Sequence, residues 1–462
     1  MKLQYDITDK PRMSSRITLA LQQMLAILAA TIAVPMIVGH GLTPAAAMFG
    51  AGAGTIIYQI MTKGKSPVFL GSSFSFLGAM TAAFSGGISM TLGLLGVLIG
   101  AVFAGLVYVV LAVVVRKIGV DWIDRIMPPV VIGPTVSVIG LCLAGNAVSK
   151  MRSGSVLGLS EAGDLVPLAG ENIAILCGVV TMVITILCSV YGSRTLKLIP
   201  FLVGILGGYL FSAIITGIGY AAGIDAIKII DFGILSDAIL PNGLVSFRSF
   251  ISVPDFIFIK AFQGISEISP TYVVTILTAY VPVAFVGFAE HVADHKNLSS
   301  IINKDLITDP GLEKTLLGDG LGSIVGSFFG GCPNTTYGES IACVALTGNA
   351  ATITTFYAAI GCMLLSFVTP FVAFVNSIPD CVMGGLCVVL YGFIAVSGLR
   401  MIQHIDLEDN RNIFVISTIL VVGIGGMTLK FGAVTITEIA TALIFGVIVN
   451  LLGGGGRKRK TD

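Results

Sequence analysis

Long apolar runs alternate with short polar stretches from residue 17 to residue 452. A helix that crosses a bilayer needs about 20 mostly apolar residues, and most of the runs reach this length. The pattern predicts an all-α polytopic membrane protein with fourteen membrane segments in two sets of seven. The first set covers residues 17–38, 45–62, 67–83, 91–115, 127–147, 171–191 and 197–218. The second set covers residues 272–293, 315–330, 335–348, 350–371, 380–399, 412–428 and 434–452.

The composition agrees with this pattern. Hydrophobic residues make up 55% of the 462 residues and charged residues only 11%, whereas a soluble domain carries about 25% charged residues. Most of the surface must therefore face lipid. The first run is a full span without a small-residue cleavage site, so we expect no signal peptide. The net charge of +1 gives no indication of nucleic acid binding.

The basic residues indicate how the chain is oriented. With the N-terminus in the cytoplasm and fourteen alternating segments, most of the 26 lysines and arginines fall on the cytoplasmic side, as the positive-inside rule requires. We therefore expect residues 1–16 and 453–462 to be cytoplasmic tails of a protein of the cell (inner) membrane. The Arg457–Lys460 stretch either binds the anionic inner leaflet or is simply solvated.

Two segments, 67–83 and 335–348, are too short or too polar for ordinary spanning helices. Each is the third of its set, and a proline at or just before its start (Pro67 and Pro333) is followed by hydroxyl residues and glycine. Seven segments per set is an odd number, so two related halves would lie in the membrane in opposite orientations, as in many secondary transporters. We expect inverted repeats at 17–218 and 272–452, joined by an external crossover at 219–271.

Three acidic residues fall close to these interrupted segments. Glu290 lies inside an apolar run, Glu339 follows Gly338 in the second interrupted segment, and Asp294 is one helical turn after Glu290. An ionisable group inside a span is costly and indicates function. The structural alternative for each is an acid that caps a half-helix or pairs with a hydroxyl group, and Asp294 could already lie at the cytoplasmic interface.

Irregular backbone at membrane depth must line a cavity or be buried in protein. Carboxylates can accept ring N–H groups there, and half-helix N–H groups can donate to carbonyl oxygens. A planar lactam offers both kinds of group, so we expect a small neutral ring as cargo. A carboxyl group in a dry site favours its protonated form, which offers coupling to a proton gradient. The scattered cysteines and dispersed histidines give no metal spacing, and we expect no metal or cofactor.

The residues around these acids resemble the bacterial uracil permeases of the nucleobase–ascorbate transporter family. The resemblance covers essentially the whole chain, and its most specific string is Asn-Thr-Thr-Tyr-Gly-Glu. The matching stretches are Gly71–Phe74, Ala289–Val292, Pro333–Glu339 and Leu390–Gly392.

The resemblance implies a core domain of segments 1–4 and 8–11, a gate domain of segments 5–7 and 12–14, and often a homodimer. It implies that Glu290 and Glu339 hold a pyrimidine ring while the backbone N–H groups of Phe74 and Gly338 contact its carbonyls. The pocket walls would come from Tyr337, Ala30 and Tyr391.

The chain departs from the family pattern at several positions. Asp294 stands where uracil permeases carry a histidine, and Gln22-Gln23 replaces Gln-His. We expect Glu290 and Asp294 to carry the coupling proton, with Asp294 either taking over that proton or tuning Glu290. Glutamate at position 339, where purine and ascorbate members carry glutamine, favours a pyrimidine.

The leading hypothesis is therefore a secondary active transporter that imports a nucleobase, most of all uracil, by proton symport with alternating access. The alternatives are a purine symporter of the xanthine type and a sulfate- or bicarbonate-type anion carrier of the same fold. The two glutamates disfavour the anion carrier. A membrane enzyme would need a metal or nucleophile constellation, which the sequence lacks, so we expect no enzyme. A receptor-like sensor that does not transport remains compatible with the sequence.

Overall fold

The computed structural model describes residues 3–85, 88–159, 165–431 and 434–454, and these residues are mainly helical. The predicted basic stretch Arg457–Lys460 lies outside them. The helices are α1 Met13–Val38, α2 Pro44–Met61, α3 Leu77–Ala83, α4 Met90–Ile118, α5 Asp121–Ile126, α6 Pro129–Cys142, α7 Ala144–Lys150, α8 Glu171–Tyr191, α9 Pro200–Ala222, α10 Gly233–Ile239, α11 Ile257–Ala261, α12 Pro270–Ile302, α13 Leu312–Gly330, α14 Gly338–Thr347, α15 Thr352–Leu365, α16 Thr369–Asn376, α17 Asp380–Met401, α18 Asn410–Ile424 and α19 Glu438–Leu452. The strands are β1 Leu70–Ser72, β2 Leu157–Leu159, β3 Leu165–Pro167, β4 Asn334–Thr336, β5 Leu429–Phe431 and β6 Val434–Ile436.

Seven helical stretches in the described part are long and apolar enough to cross a membrane, which confirms the all-α membrane class. Their outward faces carry large apolar side chains, as on α9, where Leu210 and Ile214 are exposed while Gly208 and Ser212 face inward. The seven stretches are Met13–Val38, Met90–Ile118, Pro129–Lys150, Glu171–Tyr191, Pro200–Ala222, Pro270–Ile302 and Asp380–Met401.

The bounds of several predicted segments differ in the structure, and three of these differences have a clear physical cause. The segment predicted at 272–293 continues as α12 to Ile302, because Leu298 and Ile302 are still buried against the protein. The segment predicted at 350–371 is two helices, and Pro370 lies in the first turn of the second, where its missing N–H costs nothing. The last segment begins at Glu438 instead of 434, because residues 434–436 pair with β5 and Thr437 caps α19.

The long helices pack as two groups. The first helix group contains α1–α4 and α12–α15, and the second contains α6–α9 and α17–α19. Within the first group, α2 and α13 approach closely because glycines face one another. A Cβ atom at Gly322 of α13 would lie 2.8 Å from the Gly54 carbonyl oxygen and 2.6 Å from Cδ1 of Leu70. The backbone of α2 therefore contacts the backbone of α13.

Replacing Gly322 by alanine is expected to destabilise the protein, because the added methyl group must push α2 or Leu70 aside. Overpacking of this kind costs about 1–3 kcal/mol. The measurement is the thermal unfolding midpoint in detergent. Gly392→Ala is the matched control, since a Cβ atom at Gly392 of α17 meets nothing within 4 Å. Equal midpoints for the two variants would contradict the close approach.

The N-terminal segment, predicted as a tail, packs on the first helix group. Its Ile7 side chain is only 6% exposed. The backbone N–H of Ala350 donates to the carbonyl oxygen of Tyr5 at 2.9 Å. Lys304 donates to Asp6 at 2.7 Å, which lowers the pKa of that carboxyl group. The segment therefore joins the end of α12 to the α14–α15 connection.

Candidate functional site

The two interrupted segments meet in a short antiparallel strand pair. Strand β1 pairs with β4 so that Leu70 lies opposite Thr336 and Ser72 opposite Asn334. The N–H of Ser73 extends the pairing by donating to the Pro333 carbonyl at 2.7 Å. Backbone at membrane depth must find partners within the protein, and each interrupted segment supplies them to the other. The short helices α3 and α14 follow the two strands.

Small and hydroxyl residues allow this pairing. A side chain at Gly71 would overlap the ring of Tyr337, whose hydroxyl donates to the Ser72 carbonyl at 2.6 Å. On the other side of β1, the Leu70 N–H donates to Thr55 Oγ1 of α2 at 3.0 Å. The strand pair is therefore held between α2 and the first turn of α14.

A cavity of about 460 Å³ lies between the two helix groups, beside the strand pair. The first helix group contributes Phe74 and Ser75 after β1, Glu290 and Asp294 of α12, and residues 335–339. The facing wall from the second group is mainly apolar and includes Val136, Ile139, Phe201, Phe393 and Ile394. The side of the cavity formed by the first helix group is therefore polar and acidic, and the side formed by the second group is mainly hydrophobic.

The predicted acids Glu290, Asp294 and Glu339 all line this cavity. The Ser75 hydroxyl donates to Oε2 of Glu290 at 3.2 Å, and the Thr336 hydroxyl donates to Oδ2 of Asp294 at 2.6 Å. Glu290 and Asp294 therefore each pair with a hydroxyl group, as the structural alternative proposed. Both carboxyl groups also line the cavity. Asp294 lies within α12, which continues two further turns to Ile302.

Glu339 lies in the first turn of α14, next to Gly338 at its N-terminus. Among the described residues, no side chain hydrogen-bonds to its carboxylate, and no acceptor is found for the backbone N–H groups of Phe74 and Gly338. The first N–H groups of a helix have no partner within it and carry partial positive charge. The cavity therefore presents a carboxylate acceptor beside backbone donors.

The predicted wall residues divide into two sets. Tyr337 lines the cavity, and Ala26 of α1 does so one turn before Ala30. Ala30 and Tyr391 are 1% and 2% exposed and do not line this cavity. The ring of Tyr391 instead packs edge-on against that of Phe74, with the centroids 6.0 Å apart. Tyr391 therefore supports a wall residue.

The substitution at Gln22-Gln23 has a structural consequence on α1. Gln23 is buried and donates to the Ser340 hydroxyl of α14 at 2.7 Å, and the N–H of Phe69 donates to the same oxygen at 3.0 Å. Ser340 therefore joins α1 and the residue before β1 to the half-helix α14. These polar contacts hold α14, and with it Glu339, against the strand pair.

Three functional candidates were missed by the sequence analysis. Ser75 and Thr336 orient the two acids of α12, and only the pairing of their segments places them there. Asp319 lies fully buried in α13, within the predicted segment 315–330. Its position in an apolar and glycine-rich run was the signal that could have identified it.

The cavity extends to one end of the molecule, where exposed Lys197 and Arg400 lie on its rim. These residues belong to the α8–α9 connection and the end of α17. Within the described residues, no cluster of three or more His, Cys, Asp or Glu could hold a metal ion.

Comparison with known proteins assigns the chain to a family. The model of the Permease family matches residues 14–431, which is most of the chain. This chain belongs to the permease family. It is therefore a multi-pass membrane transporter and not an enzyme.

The permease is similar over its whole length to bacterial uracil permeases. It is 36% identical to the "Uracil permease" of Bacillus subtilis, with 100% of this chain and 98% of that protein covered. It is 32% identical to the "Uracil permease" of Escherichia coli, covering 96% and 93%. It is also 31% identical to the "Putative pyrimidine permease RutG" of Escherichia coli, covering 94% and 88%.

Solved structures with low sequence identity share the fold of the permease. The transmembrane domain of a cyanobacterium bicarbonate transporter, BicA, matches with a TM-score of 0.60 at 13% identity, covering 98% of this chain and 100% of that one. A murine Slc26a9 anion transporter in the inward-facing state matches with a TM-score of 0.64 at 11% identity, covering 96% and 69%. At these identities the likeness concerns the fold alone.

Proposed function

We propose that this permease imports a nucleobase, uracil in the first place, together with protons. The observation that carries the proposal is the single cavity that combines the carboxylates of Glu290 and Glu339 with the N–H groups of Phe74 and Gly338. Uracil is a planar ring with two N–H donors and two carbonyl acceptors. The names of the relatives, which match the whole length of the chain, support the same cargo.

The arrangement suits recognition of both edges of the ring. In this proposal Glu290 and Glu339 accept the ring N–H groups, and the N–H groups of Phe74 and Gly338 donate to the ring carbonyls. The ring lies against Tyr337 and the apolar wall residues of the second helix group. A cargo lacking one of these groups would leave a buried polar atom of the protein without a hydrogen-bond partner, at a cost of about 1–3 kcal/mol in binding free energy. This cost provides selectivity for a lactam ring.

The proton is proposed to bind at Glu290 and Asp294. They lie one helical turn apart on α12 and line the same cavity. Two carboxylates at this spacing repel when both are ionised, so one proton lowers the cost of holding them in a dry site. Ser75 donates one hydrogen bond to Glu290, and Thr336 donates one to Asp294. Each carboxyl group still has an oxygen that can bind a proton.

The transport cycle is proposed to be alternating access between the two helix groups. The first helix group would be the core that holds the cargo, and the second the gate, in a plan of fourteen segments and two inverted repeats. The cavity rim with Lys197 and Arg400 would face the cytoplasm, as would both termini, because cationic residues collect there. The carrier would act in the cell membrane, as a monomer or a homodimer.

Substitution of Asp294 by asparagine is expected to flatten the pH dependence of uracil uptake between about pH 5.5 and 8.5. Asparagine still accepts from Thr336 but binds no proton, so Glu290 alone would respond to pH. Initial uptake rates in proteoliposomes measure this. Asp237→Asn, on exposed α10, is the matched control and should keep the wild-type profile. A wild-type profile for Asp294→Asn would assign this residue a structural role.

The cargo is tested by competition in proteoliposomes. Uptake of radiolabelled uracil is measured with an excess of unlabelled uracil, xanthine, adenine or sulfate. We expect unlabelled uracil to suppress the signal fully and sulfate to leave it unchanged. Stronger suppression by xanthine would point to a purine carrier. Sulfate uptake without uracil uptake would overturn the proposal in favour of an anion carrier.

A further inference from the structure

A second polar cluster lies behind the cavity, between α12, α13 and α2. His291 of α12 and Asp319 of α13 are 0% and 1% exposed, and His291 Nδ1 lies 2.7 Å from Asp319 Oδ2. The other ring nitrogen, Nε2, lies 3.0 Å from the hydroxyl oxygen of Thr315. This pair is not part of the cavity wall, and the proposed function does not use it.

The hydrogen atoms of this cluster can be counted. Thr315 has one hydroxyl proton, and its oxygen lies 3.1 Å from the Leu312 carbonyl, which can only accept. With that proton donated to Leu312, the Thr315 oxygen must accept from an N–H at His291 Nε2. A neutral His291 then has a bare Nδ1, which needs a donor. Asp319 can be that donor only if it is protonated.

The count gives two forms that differ only in the position of one proton. Either Asp319 carries it on Oδ2 and donates to a neutral ring, or His291 carries it on Nδ1 and donates to an ionised carboxylate. Both forms have no net charge. In both, the proton lies between Nδ1 and Oδ2.

A proton on Oδ1 of Asp319 instead would be a buried donor without an acceptor, because that oxygen has no partner among the described residues. Another arrangement has one proton fewer. Thr315 would donate to Nε2, and a neutral His291 would donate to an ionised Asp319 through Nδ1. A net negative charge would then be fully buried with a single hydrogen bond, since Oδ1 of Asp319 has no partner among the described residues. Burying an unpaired charge is much more costly than giving up the Leu312 contact, so this arrangement is disfavoured.

Among the described residues, the groups around the pair supply no compensating charge. His295 stacks on His291 with ring centroids 4.1 Å apart. Its Nδ1 donates to the His291 carbonyl at 2.8 Å. Its Nε2 lies 2.7 Å from the Tyr58 hydroxyl and 3.4 Å from the Ser66 hydroxyl. Tyr58 donates to Ser66 at 2.8 Å, so the Ser66 proton is available to Nε2 and the ring is satisfied while neutral. From α4, the neutral ring of Tyr108 meets His291 edge-on at 6.4 Å.

The acids of α12 lie on another face of the same helix. Successive helical residues are about 100° apart around the axis, so His291 points to α13 while Glu290 lines the cavity. Asp294, one turn further, also lines the cavity. The orientation of α12 about its axis that brings His291 into contact with Asp319 therefore also directs Glu290 and Asp294 into the cavity.

We propose that His291 and Asp319 share one proton that the permease keeps throughout its cycle, and that this neutral pair positions α12 so that Glu290 and Asp294 face the cavity. The positioning role rests on the proposed function, whereas the shared proton does not. The pair would be distinct from the site that loads and releases the coupling proton.

The shared proton is tested in the wild-type protein by ¹⁵N NMR of labelled histidine, with His291→Gln used to assign the signals. We expect the His291 signals to keep their shifts from pH 5.5 to 8.5, with and without uracil. Titration of His291 in this range would overturn the proposal, as would a change of its protonation when uracil binds.

The positioning role is tested by equilibrium uracil binding to His291→Gln, Asp319→Asn and the double variant. Each single change is expected to weaken binding about tenfold, and the double change also about tenfold, because contacting residues are not additive. Independent residues would give about 100-fold, which would overturn the pair. His404→Gln is the control and should bind as the wild type. If the wild type binds no uracil, the proposed function fails, while the NMR measurement still decides the shared proton.

Discussion

Glu290→Gln is expected to lower proton-driven uracil uptake by about 100-fold or more, equivalent to about 2.8 kcal/mol at 1.4 kcal/mol per factor of ten. Glutamine has nearly the same shape and can still accept from Ser75, so the cavity should keep its form. It cannot bind a proton, and its amide group is a weaker acceptor for a ring N–H than a carboxylate. Both proposed roles of Glu290 are therefore lost together.

A control variant and a stability measurement separate this loss from misfolding. Glu408→Gln makes the same chemical change in an exposed loop and should transport normally. The unfolding midpoint of Glu290→Gln should match or exceed that of the wild type, because an ionisable group leaves a buried site. Uptake should also stay low when the pH is varied. Full activity in Glu290→Gln would show that neither cargo nor proton depends on this carboxylate.

Glu339→Gln is expected to weaken uracil binding by about 10- to 100-fold, since hydrogen bonds to charged groups contribute about 1.5–3 kcal/mol. The carboxylate of Glu339 has no side-chain partner among the described residues and lies beside Gly338, at the start of α14. An amide in its place offers one acceptor and one donor, and the donor would face a ring N–H.

Equilibrium binding measures this change directly, because it is independent of proton coupling. The pH midpoint of binding should stay near that of the wild type, since the proposed proton site is on α12. Unchanged affinity would mean that Glu339 does not touch the cargo. A shifted pH midpoint with unchanged affinity would instead move the proton site to α14.

The sequence predicted the elements of the site better than their contacts. Pro67 and Pro333, with the hydroxyl residues that follow them, predicted two interrupted segments. The structure has a strand and a short helix in each. The pairing of β1 with β4 was not predicted, because three-residue strands are too short to show a period of two. The hydroxyl groups of Ser75 and Thr336 reach the acids of α12 only through that pairing.

Other differences have the same origin in long-range contacts. The polar N-terminal segment looked like a solvated tail, but Ile7 inserts into a pocket formed by α2, α12 and α14. The predicted segment ended at residue 293, whereas α12 continues to Ile302 and packs with His295 and Leu298 inward. Asp319 was overlooked, since nothing in its own neighbourhood in the sequence reveals the histidine that it faces.

The central claim is that uracil and protons cross the membrane together through one cavity. Its most direct test is a proteoliposome loaded with a pH-sensitive dye, to which uracil is added outside without any imposed gradient. The account predicts that the lumen acidifies as uracil enters, and that Glu290→Gln abolishes the acidification while Glu408→Gln does not. Entry of uracil with no change in luminal pH would contradict it.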